Sequence, residues 1–391
     1  MHITRRNTKA IQVGGVKIGG GAPISVQSMT IPHPQDVKAT VAQIQELEEA
    51  GCELIRVAVP DREAAEALPK IKARMTVPLI ADIHFDHRLA LQAAAVVDCV
   101  RINPGNIGPW WKMAEVVRAV TDHGIPLRLG INGGSLERPL LEKYGYPTAE
   151  ALAESALNAV HALEDVGFTN LKVSVKASEV HMAVDAYWLF AHQSNYPLHI
   201  GITEAGTAST GAVKSAIGLG WLLAHGIGDT LRVSLAADPV EEVRVGFEIL
   251  KSLELRHRGI NVIACPTCGR VEIDVVRMAN ELEKRLGHIK TPLNVSVLGC
   301  VVNGIGEGKE ADIGIAGGQG GGILFKKGKL VRKVRSEDLM DTLIEEVERM
   351  AEEQGEADSR QENRDALPAS LGTSSPALPT VNRDLPVLPN R

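Results

Sequence analysis

DCVRIN, residues 98–103, is an aliphatic run that carries Arg101 and Asn103 two residues apart. In a strand, alternate side chains point the same way, so these two polar groups share one face. Similar runs recur along the chain: ISVQSM (24–29), LIRVAV (54–59), LIADIH (79–84), LRLGIN (127–132), LKVSVK (171–176), LHIGIT (198–203) and TLRVSL (230–235). Between them lie amphipathic helical stretches such as VKATVAQIQELEEAG (37–51) and TAEALAESALNAVHALEDVG (148–167), each closed by glycine, a common helix-end signal. Eight such units in about 250 residues match the size of a (β/α)8 barrel. An open, doubly wound sheet could use the same units but would rarely use eight in such even succession. The fold expected for residues 1–259 is therefore an α/β TIM barrel.

Past residue 259 the pattern changes. NVIACP and PLNVSVLGC read as strands flanking the helix EIDVVRMANELEKRLG. ADIGIAGG then leads into a hairpin, GGILFKKGKLVRKV, and a last helix, SEDLMDTLIEEVERMAEEQG, so residues 260–354 form a small α+β domain. GGQGGG (317–322) reads as a flexible approach to that hairpin. Residues 355–391 are polar, then rich in Pro and Ser, and have little to bury; a disordered tail is expected.

Composition narrows the function. A net charge of −6 argues against a general nucleic-acid or membrane-surface binder, and 3% aromatic content leaves little for stacking nucleobases. No secretory signal pattern opens the chain and no apolar run approaches membrane-spanning length. Five unevenly spaced cysteines do not form a secreted disulfide framework, so a reducing cytoplasm is the expected location.

Barrel strands ordinarily turn branched apolar residues inward. Here polar residues share faces near the strand ends: Arg101 with Asn103, Arg128 with Asn132, Arg232 with Ser234, Asp82 with His84, and Ser174 with Lys176. Arg56 sits between hydrophobic neighbours, and Glu204 follows the seventh strand. Any one of these could be a solvated strand-end charge. Four arginines and a lysine on five strands are harder to explain so, because buried guanidinium groups need anionic partners and Asp82 and Glu204 are too few. Arginine forks suit phosphate oxygens, which points to a small anionic ligand such as a diphosphate.

CPTCGR (265–270) supplies Cys265 and Cys268, and Cys300 in VLGCVVNGIGEG is a third thiol; Cys52 and Cys99 lie far upstream in apolar surroundings. A redox dithiol would need only the pair, and a zinc ribbon would want a second C-x-x-C. Three thiolates and one oxygen would suit a [4Fe–4S] cluster with one distinctive iron. Glu307, flanked by glycines, could turn back to supply the oxygen, or be a plain loop carboxylate; spacing leaves both open. Two rival functions remain at this point. A pterin-binding, methyl-transferring barrel would leave the cysteines unexplained. A non-catalytic iron–sulfur or zinc protein would leave the inward arginines unexplained.

VQSMT, RINPGN, GITEAG, CPTCGR and GCVVNGIGEGKEADIGIAGG, in this order along the chain, resemble the bacterial 4-hydroxy-3-methylbut-2-enyl diphosphate synthases of the non-mevalonate isoprenoid pathway, over roughly residues 1–350. The resemblance implies a TIM barrel followed by an iron–sulfur domain similar to modules of sulfite and nitrite reductases, in a homodimer whose two subunits complete each site. It implies that Cys265, Cys268, Cys300 and Glu307 hold a [4Fe–4S] cluster. Substrate-anchoring positions fall on Arg56, Arg101, Asn103, Arg128, Lys176, Arg232 and Ser234, with Asp82, Asn132, His199 and Glu204 around the reacting carbon skeleton. Glu204 is the candidate for proton delivery to the departing hydroxyl or for orienting the substrate, two roles that sequence does not separate, and flavodoxin or ferredoxin is the implied electron donor. One departure is Ile305, where the family motif has proline.

Overall fold

The computed structural model describes residues 3–300, 302, 308 and 310–365, the last ten by backbone alone. Two compact units make up the chain, Met1–Gly259 and Ile260–Arg391. In the first, a hairpin of β1 (Ile11–Val13) and β2 (Val16–Ile18) precedes eight strands. These are β3 (Ser25–Met29), β4 (Leu54–Ala58), β5 (Leu79–Ile83), β6 (Cys99–Ile102), β7 (Leu127–Asn132), β8 (Leu171–Lys176), β9 (His199–Ile200) and β10 (Thr230–Leu231). All pair in parallel in the order β8-β7-β6-β5-β4-β3-β10-β9. The barrel closes through a bridge between Val173 and Leu198 and a bond from Val173 N to Pro197 O of 3.0 Å. Helices cover the outside, several capped by an aspartate: Asp36 accepts from Ala39 N (3.0 Å) and Asp61 from Ala64 N (2.8 Å).

The seventh and eighth strands are shorter than their sequences predict. Arg232 N still donates to Ile200 O (3.0 Å), but farther on Leu235 N goes to the Glu242 carboxylate (3.1 Å) and Ala236 N to Gly206 O (2.8 Å). The alternating pattern survives there, but strand pairing does not.

In the second unit, β11 (Ile260–Ala264), β12 (Leu293–Leu298), β13 (Ile313–Gly318), β14 (Gly321–Lys326) and β15 (Lys329–Arg335) form one sheet in chain order. The first three pair in parallel and the last two add antiparallel. Helices Val275–Leu286 and Leu339–Asp365 share its core through Met278, Leu282, Leu343 and Val347. Two expectations need correcting. GGQGGG is strand and tight turn, since Gly317 pairs with Gly322 and Gly318 with Gly321. The last helix runs to Asp365 and not to Gly355, because EADSRQENRD, though polar, is rich in good helix formers. The remainder of the tail lies outside the described residues.

Candidate active site

The barrel lumen is a basic chamber. Register aligns Asp82, Arg101, Arg128 and Lys172 across β5 to β8, and Asn132 with Lys176, so these side chains share the inner face. Asp82 is the hub: Arg101 Nη1 donates to Oδ1 at 2.8 Å, and Arg56 Nε lies 3.7 Å from Oδ2. Burial works against its charge, yet Arg56 and Arg101 hold the carboxyl well below the usual range. Arg101 Nη1 also meets His84 Nε2 at 2.5 Å. Arg128 reaches Ser174 Oγ through Nη2 at 3.0 Å, while its Nη1 makes no hydrogen bond. Both ring nitrogens of buried His199 and the amine of buried Lys172 also make none.

Arg232 forms a bidentate pair with Glu242, Nε to Oε2 and Nη2 to Oε1 each at 3.0 Å. Ser28 Oγ donates to the same carboxylate at 2.9 Å. The Met29 sulfur lies between Arg56 Nη2 (3.0 Å) and Arg232 Nη1 (3.8 Å), which brings the eighth strand's arginine to the group. Two glycines make room. A Cβ on Gly130 would strike the Arg101 guanidinium, and one on Gly201 would lie 2.6 Å from Lys176 Nζ.

Six cations, namely Arg56, Arg101, Arg128, Lys172, Lys176 and Arg232, thus face two carboxylates, Asp82 and Glu242. Burial, then their mutual repulsion, pushes Arg128 and Lys176 well below their ordinary values and Arg56 to about 10. His199 is held neutral for the same reasons. A chamber so charged suits a multiply charged anion, which would supply the counter-charge that the protein lacks.

The remaining expected positions are placed differently. Asn103 is buried, but its Oδ1 caps the short helix Pro104–Ile107 through Gly105 N (3.1 Å) and its Nδ2 meets Ser135 Oγ (2.5 Å), so its amide is committed to the loop. Asn132 and Ser234 are half-buried at strand ends. Glu204 is exposed, with φ of +51°, a left-handed backbone that non-glycine residues seldom adopt. Sequence reasoning missed Lys172 and Glu242. Lys172 stands two residues before Ser174 on the same face, a signal that was available; Glu242 falls on the buried stripe of its helix with Val243, Gly246 and Phe247.

In the second unit, Cys265 follows β11 and Cys300 follows β12, at the same end of adjacent parallel strands. Gly299 N donates to Cys265 Sγ at 3.0 Å, and a Cβ on Gly299 would crowd Val271 at 2.9 Å and that sulfur at 3.4 Å. Hydrogen bonds from the Arg270 backbone and side chain lower the Cys268 thiol. Among the described residues no three His, Cys, Asp or Glu side chains converge closely enough to hold a metal ion. The expected fourth ligand, Glu307, lies outside the described residues. By contrast, burial raises the Cys52 thiol to about 12 and raises Cys99 as well, so neither is a ready ligand.

A family model described as the GcpE TIM-barrel domain matches residues 8–247, and one described as the GcpE protein C-terminal domain matches residues 261–349. The chain belongs to the GcpE family. Curated members named 4-hydroxy-3-methylbut-2-en-1-yl diphosphate synthase (flavodoxin) are close relatives. That of Symbiobacterium thermophilum is 55% identical, covering 90% of this chain and 95% of its own. That of Geobacter sulfurreducens is 57% identical, covering 89% and 99%. That of Acidithiobacillus ferrooxidans is 58% identical, covering 87% and 93%. GcpE membership agrees with the barrel and the separate C-terminal unit described above. No helix among the described residues is long and apolar enough to cross a membrane.

Proposed function

We propose that the protein makes 4-hydroxy-3-methylbut-2-enyl diphosphate by reductive ring opening of 2-C-methyl-D-erythritol 2,4-cyclodiphosphate, in the cytoplasm and with flavodoxin as electron donor. The observation that carries this is the excess of buried, incompletely partnered cations in the barrel, in a chain whose relatives are named for a diphosphate product. Residues 1–259 bind substrate and residues 260–354 carry the cofactor. The reaction takes up two electrons and expels one hydroxyl as water.

Cys265, Cys268, Cys300 and Glu307 would hold a [4Fe–4S] cluster. The donors suit it: the sulfur of Cys265 accepts a backbone N–H, Cys268 is biased towards thiolate, and Gly299 and Gly317 let the backbone approach closely beside Cys300. Such a cluster, when bound, supplies single electrons. Arg101, Arg128 and Lys176 clamp the phosphates and fix the carbon skeleton, and their charge stabilises the negative charge that builds up as the C–O bond opens. Asp82 keeps Arg56 and Arg101 aimed inward. Glu204, strained at the end of the seventh strand, delivers a proton to the departing hydroxyl. His199, neutral and buried, packs against the substrate without adding a further charge.

The working form is a homodimer in which one subunit's cluster unit serves the other's barrel. Ile31, Phe85 and Tyr146, exposed in loops, and Trp110 and Trp111, exposed at the start of the helix Trp110–Asp122, all in connections that follow barrel strands, support a covered rim. The test is direct. Anaerobically purified protein should be brown, and Arg128→Leu should abolish binding of the cyclic diphosphate while leaving the visible spectrum intact. Unchanged binding by Arg128→Leu would defeat the clamp, and a colourless, zinc-containing protein would defeat the cluster.

A further inference from the structure

Lys172 is the register partner of Arg128 on the next strand and is fully buried. Arg128 does not lie back toward it: its guanidinium bonds Ser174, two residues nearer the C-terminal end of the barrel. The Lys172 amine makes no hydrogen bond, and among the described residues it has no ion-pair partner. A methionine would fill the same space without the cost of burying an amine. The groups that influence it come from four strands: Cys99 on β6, Arg128 on β7, Arg56 on β4 and His199 on β9, with Lys176 farther along its own strand. None of these carries negative charge at neutral pH, and Asp82 is already shared by two arginines.

We propose that Lys172 is a positioning residue of the anion site, its charged amine pressing Arg128 forward onto the anion and, in alkaline solution, gaining its proton from solvent as the anionic substrate enters and releasing it when product leaves. This rests on the diphosphate reading above. Burial pushes the amine down to about 8, and Arg128 and Arg56 add to the push. An anion among the guanidinium groups reverses it and returns the amine toward its ordinary value of about 10.4. Between those values the empty site holds a neutral Lys172 and the filled site a charged one. Binding therefore takes up a proton there, and affinity falls as pH rises through about 8. In mildly acidic solution both states are protonated and the link vanishes. Lys176 is depressed as well and adds its own uptake, so the deciding quantity is the difference between wild type and variant.

The experiment is calorimetric titration of the full chain with inorganic pyrophosphate, at mildly acidic pH and near pH 9, in buffers of different ionisation heat. Near pH 9 the wild type should take up close to one proton more than Lys172→Met. At mildly acidic pH the proton counts should converge, with affinity in the variant still weaker by roughly tenfold, as expected for one lost charge near the anion. Lys172→Arg, always charged, should recover affinity at acidic pH yet lose the extra proton uptake. A purely structural lysine would move neither proton count. Equal proton counts and affinities within about twofold for wild type and Lys172→Met would overturn the inference. If Lys172→Met does not fold, Lys172→Arg decides alone: proton uptake equal to wild type refutes the role. A wild type that binds no pyrophosphate would bring down the diphosphate reading and this inference together.

Discussion

Asp82→Asn keeps the shape of the side chain and removes the one negative charge that Arg56 and Arg101 share. The pairs stand at 3.7 and 2.8 Å. At an effective dielectric near 20, those separations correspond to about 4.5 and 6 kcal/mol of gross attraction. Dehydration of the carboxylate offsets much of it, and losing one partner of a buried pair costs about 3–5 kcal/mol net. For a barrel of this size each kcal/mol lowers Tm by about 2–4 °C, so the variant should melt roughly 6–20 °C below wild type. Inorganic pyrophosphate should narrow the gap, because the freed guanidinium groups then have an anion to hold. The gap should also be flat between about pH 8 and 5. Asp82 is held well below the carboxylate range, so its contribution is present above its unfolded value and disappears only as pH falls through its depressed folded one. Scanning calorimetry with and without pyrophosphate measures all of this. An unchanged Tm, or a deficit that pyrophosphate fails to reduce, would refute the hub role of Asp82.

Three further outcomes are expected. Gly130→Ala should displace the Arg101 guanidinium from its slot, cut turnover by roughly tenfold or more, and lower Tm, since a guanidinium driven off Gly130 also loses its place beside Asp82; normal turnover would mean that Arg101 can work from another position. Arg128→Leu and Cys300→Ser chains, each inactive alone, should regain part of the activity when mixed under exchange, and no recovery in proven heterodimers would place each site within one chain. Glu307→Cys should retain iron and sulfide but lose most turnover, because thiolate gives up an iron site less readily than carboxylate; a fully active Cys variant would exclude Glu307 as the exchangeable ligand.

The barrel was legible because a period of two, broken by inward arginines, is a property of the chain itself. The same pattern placed Arg56, Asp82, Arg101, Arg128 and Lys176 in one lumen before any geometry was known. Lys172 shares the face of Ser174 and Lys176, but a lysine at the start of a strand also reads as a solvated end, and the closed barrel decides between the two by burying it. Glu242 was hidden by a similar ambiguity, since an acidic residue in the first turn of a helix is favourable without any partner. Asn103 shows something alternation leaves out: the proline after it starts a helix whose cap uses the amide. Past the short eighth strand the Glu242 carboxylate draws a backbone donor, Leu235 N, out of the ladder in a way that alternation cannot reveal. For the cysteines, sequence spacing supplied the donor types, whereas their approach depends on which strands neighbour one another.

The central claim is that this chain opens a cyclic diphosphate with electrons from flavodoxin, and the most direct measurement is anaerobic turnover. Protein purified without oxygen is incubated with 2-C-methyl-D-erythritol 2,4-cyclodiphosphate and reduced flavodoxin, and the product is read by mass. Conversion to 4-hydroxy-3-methylbut-2-enyl diphosphate, with two electrons consumed for each product formed, is the predicted result. Cyclic diphosphate recovered intact by iron-loaded protein under a competent reductant would contradict the account.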